Sequence, residues 1–186
     1  MTDLLTELIA ANRNLTPAHR AKLYGLGITP ATLYRFTGNR LAGHFGVARI
    51  GVSDGLYEPD PDGAGAFLVG CQESVGSPLV DLVAFRLAEP AKWWLRSGDA
   101  VLLGLANARL AQFEDVPALV HPHPLAWLQD DCEGCVVLDW NADLHGYLDT
   151  DRIITTDDQT RERLQQSFQR NVHIPQIKSM ETADAA

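Results

Sequence analysis

The amino-acid sequence predicts an α/β (α+β) chain: a small N-terminal helical region, an antiparallel β meander, then a compact strand-helix-strand part. Three observations lead there. Capped helical stripes fill the N-terminal stretch, apolar pieces punctuated by glycine-rich turns follow from Val47, and strands alternate with helices from Ala118 onward. The expected division is an N-terminal helical region over 1–45, an α/β domain over 46–172 and a frayed tail over 173–186.

Thr2 to Asn12 carries Leu4, Leu5, Leu8 and Ile9 at helical spacing, with Thr2 or Asp3 in place to cap it. Thr16-Pro17 is a cap followed by proline at the first helical position, and Gly25 and Gly27 close the helix it opens. Thr29-Pro30 repeats the signal, so Ala31 to Phe36 is expected to be a short third helix. From Val47 the pattern becomes strand-like at Val47 to Val52, Ala66 to Cys71 and Leu79 to Arg86, with SDG, PDPDGAG and SVGSP as turns. After Ala118 the order reads strand (ALVH), helix (PLAWLQD), strand (CVVLDW), strand (RIITT) and helix (Asp158 to Arg170). That alternation calls for a small, mostly parallel sheet flanked by helices.

The 186 residues suffice to bury a core. A formal charge of -9 opposes a nonspecific grip on phosphate backbones by the whole surface, which leaves room only for a local basic groove. MTDLLTELIA has no basic leader, and no stretch reaches the roughly eighteen apolar residues of a membrane span, so a cytoplasmic location is expected. Cys71, Cys132 and Cys135 are too few for a disulfide framework and are expected as thiols.

AKLYGLGITPATLYRF has the spacing of a helix-turn-helix. The preferred reading is a helical hairpin packed on the strands, burying Leu23, Ile28, Leu33 and Phe36, since only Arg35 and Arg40 stand ready for phosphate.

Read in order, several segments resemble bacterial-type DNA primases. LYGLGITPATLYRFTGN is similar to the stretch that follows the primase zinc domain, and AFLVGCQESVGSPLVDLVAFRL to a strand, glycine turn and strand ending on arginine. EPAKWWLRSGDAVLLGLANAR resembles the "PKY-x-NS" box and the helix after it, and the order from Ala118 resembles a compact Toprim fold. The resemblance runs from Lys22 to Arg170 and makes 46–172 a primase-core, Toprim-like domain.

A Toprim centre would place a glutamate at the end of its first strand and an Asp-x-Asp pair at the end of its third, because magnesium needs clustered carboxylate oxygens. Here the first strand ends His121-Pro122-His123, and the third ends Thr155-Thr156-Asp157-Asp158, so the glutamate is replaced and the pair is incomplete. Asp139 and Asp143 offer another pair in LDWNADLHG. Imidazole favours zinc, copper or nickel over magnesium, so His121 and His123 with Asp139 or Asp157 are the candidates for a transition-metal or catalytic site. The preferred reading of His-Pro-His-Pro is a turn, in which the prolines stop the strand and start the helix, with at least one histidine in solvent. Cys132-x-x-Cys135 likewise reads as a tight turn before a strand, with zinc or redox chemistry as the alternative.

Arg86, Lys92, Trp93, Trp94 and Arg96 are the candidate nucleic-acid-binding residues, on the segment resembling the primase basic groove, where cations meet phosphate and a ring stacks on a base. The resemblance thus implies a non-catalytic or altered primase-like protein of prophage or plasmid replication, without a cofactor, that binds single-stranded nucleic acid or a replication protein. A metal-dependent phosphoester hydrolase and an interaction protein without nucleic-acid contact are the alternatives.

Overall fold

The computed structural model describes residues 3–37, 45–74 and 76–170. The expected tail over 173–186 and Arg40 lie outside them, as do the side chains of Arg35 and Phe36. Among the described residues, no helix is long and apolar enough to cross a membrane.

Three helices open the chain: α1 (Leu4–Arg13), α2 (Pro17–Gly25) and α3 (Pro30–Thr37). Asp3 caps α1 by accepting the Leu5 amide. Thr16 caps α2 in a capping box whose returning partner is an imidazole: Nδ1 of His19 accepts the Thr16 amide, and the Thr16 hydroxyl accepts that of His19. Leu23, Ile28 and Leu33 are buried as the hairpin reading requires.

Five strands then close into a barrel in the order β1-β2-β5-β4-β3: β1 (Phe45–Ser53), β2 (Leu56–Pro59), β3 (Ala64–Gln72), β4 (Leu79–Arg86) and β5 (Glu89–Leu95). Beyond the three strands that the sequence predicts for the meander, β2 and β5 add two more, and a parallel pairing of Leu56 with Leu95 closes the barrel. The sheet residues divide between two apolar clusters in keeping with strand alternation. Phe45, Phe67, Val83, Phe85 and Leu95 join the leucines of α2 and α3. Phe67 stacks between Phe45 and Phe85, with ring centres 5.4 and 6.0 Å apart. The other set, Ile50, Tyr57, Ala66, Leu68, Leu82 and Ala84, takes in Leu8 and Ala11 of α1. Gly46 lets α1 lie close, because a methyl group there would come within 2.4 Å of the Ala11 backbone carbon.

The second sheet has the order β6-β8-β7-β9, built from β6 (Leu102–Leu103), β7 (Ala118–His121), β8 (Cys135–Val137) and β9 (Ile153–Thr155). Strands β8, β7 and β9 run parallel, and β6 adds an antiparallel edge. The helices α4 (Leu105–Phe113), α5 (Pro124–Gln129) and α6 (Asp158–Arg170) accompany it. The mostly parallel sheet expected after Ala118 is therefore present. Its strands are short because each pairs over only two or three residues. Leu102, Ala118, Val120, Cys135 and Val137 bury one face against α4 and Leu164 of α6, while Leu103 and Val136 join the cluster shared with the barrel and α5. The barrel and the sheet thus meet in one shared apolar cluster.

Candidate nucleic-acid interface and the ends of the parallel strands

The candidate metal or catalytic residues lie near the carboxyl ends of β7, β8 and β9, where ligands of open α/β sheets bind. His121 ends β7 and is 2 % exposed. Its Nε2–H faces the Glu133 carbonyl at 3.1 Å, with a carboxylate oxygen of Asp130 at 3.4 Å. Burial pulls the imidazole below its usual value and outweighs Asp130 and the Glu133 carbonyl, so the ring is neutral and the contact with Asp130 is not an ion pair. His123 is half-buried and caps α5, its Nδ1 accepting the Ala126 amide at 3.0 Å. The neutral ring consequently carries its proton on Nε2. Neither histidine is fully in solvent, contrary to the expectation for one of them, because each closes a backbone hydrogen bond.

Asp157 caps α6 by accepting the Thr160 amide at 2.8 Å through Oδ1, while its Oδ2 is buried without a hydrogen-bond partner. Burial raises its carboxyl, but the bonds from Thr160 and Gln159 and the field of His123 outweigh it and hold the group below the usual range. Asp139 turns back to accept the Asn141 amide at 2.8 Å. Asp158 is exposed and pairs with Arg161 at 3.0 Å. The fold thus brings His123 and Asp157 into each other's field and leaves Asp139 and Asp158 in separate local contacts. Among the described residues, no three His, Cys, Asp or Glu side chains lie close enough to share a metal ion.

Cys132 lies in the loop before β8, and Cys135 is the first residue of that strand. Cys135 is fully buried, and burial pushes its thiol up to about 12, which disfavours the thiolate that metals and disulfides require. Cys132 has a left-handed backbone at φ 65° and packs against the core.

Both histidines carry a testable consequence. An imidazole whose folded-state value is depressed binds its proton more readily in the unfolded chain, so its contribution is complete above the unfolded value near 6.5 and is lost as pH falls through the folded value. Unfolding midpoints in urea are expected to fall as pH drops from about 7 towards 5. Replacing His123 with Asn, which preserves a cap, should flatten that dependence. An unchanged slope would remove His123 from it.

Of the basic and aromatic candidates, Arg86, Lys92, Trp93 and Trp94 lie on the β4–β5 hairpin, where Arg86 faces Glu89. The Arg86 guanidinium lies 5.0 Å from the ring centre of Trp94, and its Nε is buried without a hydrogen-bond partner. Lys92 is exposed and pairs with Glu89 at 2.9 Å. Trp93, on the other face, is half-buried and donates its indole N–H to the Leu138 carbonyl at 3.3 Å, which joins β5 to the end of β8. Arg96 points elsewhere: its Nε meets Glu7 of α1 at 3.0 Å, and Glu7 also accepts the buried Tyr57 hydroxyl at 2.9 Å. The fold therefore places Arg86, Lys92 and Trp94 together and engages Trp93 and Arg96 in holding elements in place.

Sequence reasoning passed over Glu7 and Asp81. Glu7 and Asp81 had a signal, an acid set in an apolar run (LTELIA and LVDLVAF). A buried acid in such a run requires partners.

No protein-family model matches the chain, and no curated protein matches it. Among solved structures, the crystal structure of the Aquifex aeolicus primase, comprising its zinc binding and RNA polymerase domains, is similar with a TM-score of 0.56 at 14 % identity. The match covers 88 % of this chain and 50 % of that one, so the chain spans about half the length of the primase structure it matches. At this identity the likeness is one of fold, and the fold is primase-like.

Proposed function

We propose that this chain is a non-catalytic or altered primase-like protein that binds single-stranded nucleic acid in DNA replication, through Arg86 and Lys92 on the β4–β5 hairpin. The observation that carries the reading is Arg86, held over Trp94 with its Nε buried and unpaired. The open side of this guanidinium offers a phosphate oxygen the charge-assisted hydrogen bond that Arg86 does not make among the described residues. Guanidinium also offers a surface on which a base stacks. Trp94 acts in this reading as the ring that positions Arg86, and Trp93 anchors the strand. In a chain of net charge -9, binding depends on such a local group of cations.

The altered chemistry follows from how the carboxylates are used. His121 stands where the resemblance places a glutamate, and its Nε2 is taken up by the Glu133 carbonyl. Asp157 and Asp139 each spend an oxygen on a backbone amide. These residues do not fit a magnesium pair, which needs several free carboxylate oxygens at one point.

The test is fluorescence anisotropy of a labelled oligothymidylate across a salt series. Arg86→Ala and Lys92→Ala are expected to weaken binding and to flatten the logarithmic salt slope by about 0.7 per lost phosphate contact. Arg96→Ala should act on stability instead, since it strips the buried Glu7 of its cation. Arg35→Ala and Arg40→Ala should leave binding unchanged. Absence of binding at low salt sinks the nucleic-acid reading in favour of an interaction protein, and template-dependent primer synthesis with magnesium sinks the non-catalytic one.

A further inference from the structure

We infer that Glu89 is a built-in counter-ion of the strand-binding hairpin, occupying Lys92 and facing Arg86 until the phosphate backbone of a single strand displaces it. The inference rests on the nucleic-acid reading above. Its geometry is local. Arg86 and Glu89 are paired across the end of the β4–β5 hairpin, and the Glu89 carboxylate accepts the Lys92 ammonium at 2.9 Å. Both partners are exposed, at 49 % for Glu89 and 64 % for Lys92, so the pair is accessible to an incoming strand. Trp94 fixes Arg86 in place, whereas Lys92 is a flexible cation whose recorded partner is this one carboxylate.

The hydrogen bond and charge of Lys92, with a smaller contribution from Arg86, hold the Glu89 carboxyl below its usual value. It therefore remains ionised across the neutral range, and release occurs by displacement rather than by protonation. An exposed pair of this kind is held loosely, which suits a contact that must exchange one anion for another. A phosphate arriving at Lys92 meets the carboxylate as a competitor for the same N–H donors and as a like charge. Binding is weaker by that competition, because the carboxylate must leave Lys92 before a phosphate oxygen can accept from it.

Glu89→Gln keeps the size of the side chain and removes the charge. In the full-length protein, titrated with the same labelled oligothymidylate, this change is expected to tighten binding about threefold to tenfold at low salt. The gain should vanish when Lys92→Ala is added, since the counter-ion then has nothing to withhold. Glu114→Gln, an exposed acid that caps the C-terminal end of α4, controls for net charge and should not tighten binding. Equal binding by the wild type and Glu89→Gln overturns the counter-ion while leaving the nucleic-acid reading intact. So does a gain that survives Lys92→Ala or is matched by Glu114→Gln. Failure of every variant to bind overturns both.

Discussion

Replacing Asp81 with Asn is expected to lower the free energy of unfolding by about 3–5 kcal/mol, read as a shift in the denaturant midpoint at unchanged slope. Asp81 lies in the middle of β4 with no exposed surface. Its two oxygens accept six backbone amides: Oδ1 takes those of Leu82, Arg96 and Ser97, and Oδ2 those of Gly98, Asp99 and Ala100. A carboxylate is acceptor-only, so it suits a ring of donors. An amide of the same shape turns an NH2 group towards N–H groups and leaves several of them buried without partners, each at about 1–3 kcal/mol before relaxation. The segment these bonds hold, 96–100, carries the chain from the barrel to the second sheet. Just beyond it the Val101 carbonyl accepts the amides of Leu138 and Asp139 at the end of β8. Asp81 thus sets the position of the barrel relative to the parallel sheet. Asp99→Asn, an exposed change in the same segment, should stay within about 0.5 kcal/mol of the wild type. A loss below about 1 kcal/mol for Asp81→Asn would mean that the segment is held by its packing and not by the carboxylate.

How much of this was readable from the residues depends on how local each cause is. Helix starts were legible because the signal and its effect lie within one turn: Thr16-Pro17 opens α2, Thr29-Pro30 opens α3, and α6 runs over the expected Asp158–Arg170. The alternation of short apolar runs with helices was enough to anticipate a parallel sheet after Ala118. Barrel closure was not legible, since it depends on a single pairing of Leu56 with Leu95 between two short strands far apart in sequence. Strand β6 is two residues long and is a strand only because β8 lies beside it. Among the functional candidates, five residues named for one surface divide by pleat and reach. Arg86 and Trp94 meet on one face, Trp93 turns to Leu138 on the other, and Arg96 reaches α1 through Glu7. Adjacent tryptophans in a strand must point to opposite faces, so that part was deducible. The partnership of Arg96 with a residue near the amino terminus was not, because nothing local to either residue encodes it.

The two chemically suggestive motifs, His121-Pro122-His123 and Cys132-x-x-Cys135, are parts of one structural junction, and Gly134→Ala is the substitution expected to break it. The loop from Asp130 to Gly134 passes through left-handed backbone at Asp131 (φ 48°), Cys132 (φ 65°) and Gly134 (φ 65°). It is held from four directions. The hydroxyls of Thr29 and Thr32 at the start of α3 donate to Asp131, and His121 bonds the Glu133 carbonyl. Asn107 of α4 donates to the carbonyls of Cys132 and Gly134 at 2.7 and 2.9 Å, and the Trp127 indole to that of Gly134 at 3.1 Å. A methyl group on Gly134 would sit 2.3 Å from the Leu119 carbonyl oxygen of β7, an atom of the sheet backbone that has nowhere to move. A left-handed alanine alone costs about 1–2 kcal/mol. That much is expected of Gly55→Ala, whose φ is 80° but whose surroundings are empty within 4 Å. The backbone clash at Gly134 adds to it, so Gly134→Ala should exceed Gly55→Ala by at least about 2 kcal/mol in equilibrium unfolding. Displacing the loop also removes the acceptor of His121, so the same variant should lose the protection of amides in β7 and β8 from hydrogen exchange before those of the barrel. Equal costs for the two alanines would show that the loop yields freely. The histidine and cysteine motifs would then need a cause other than this junction.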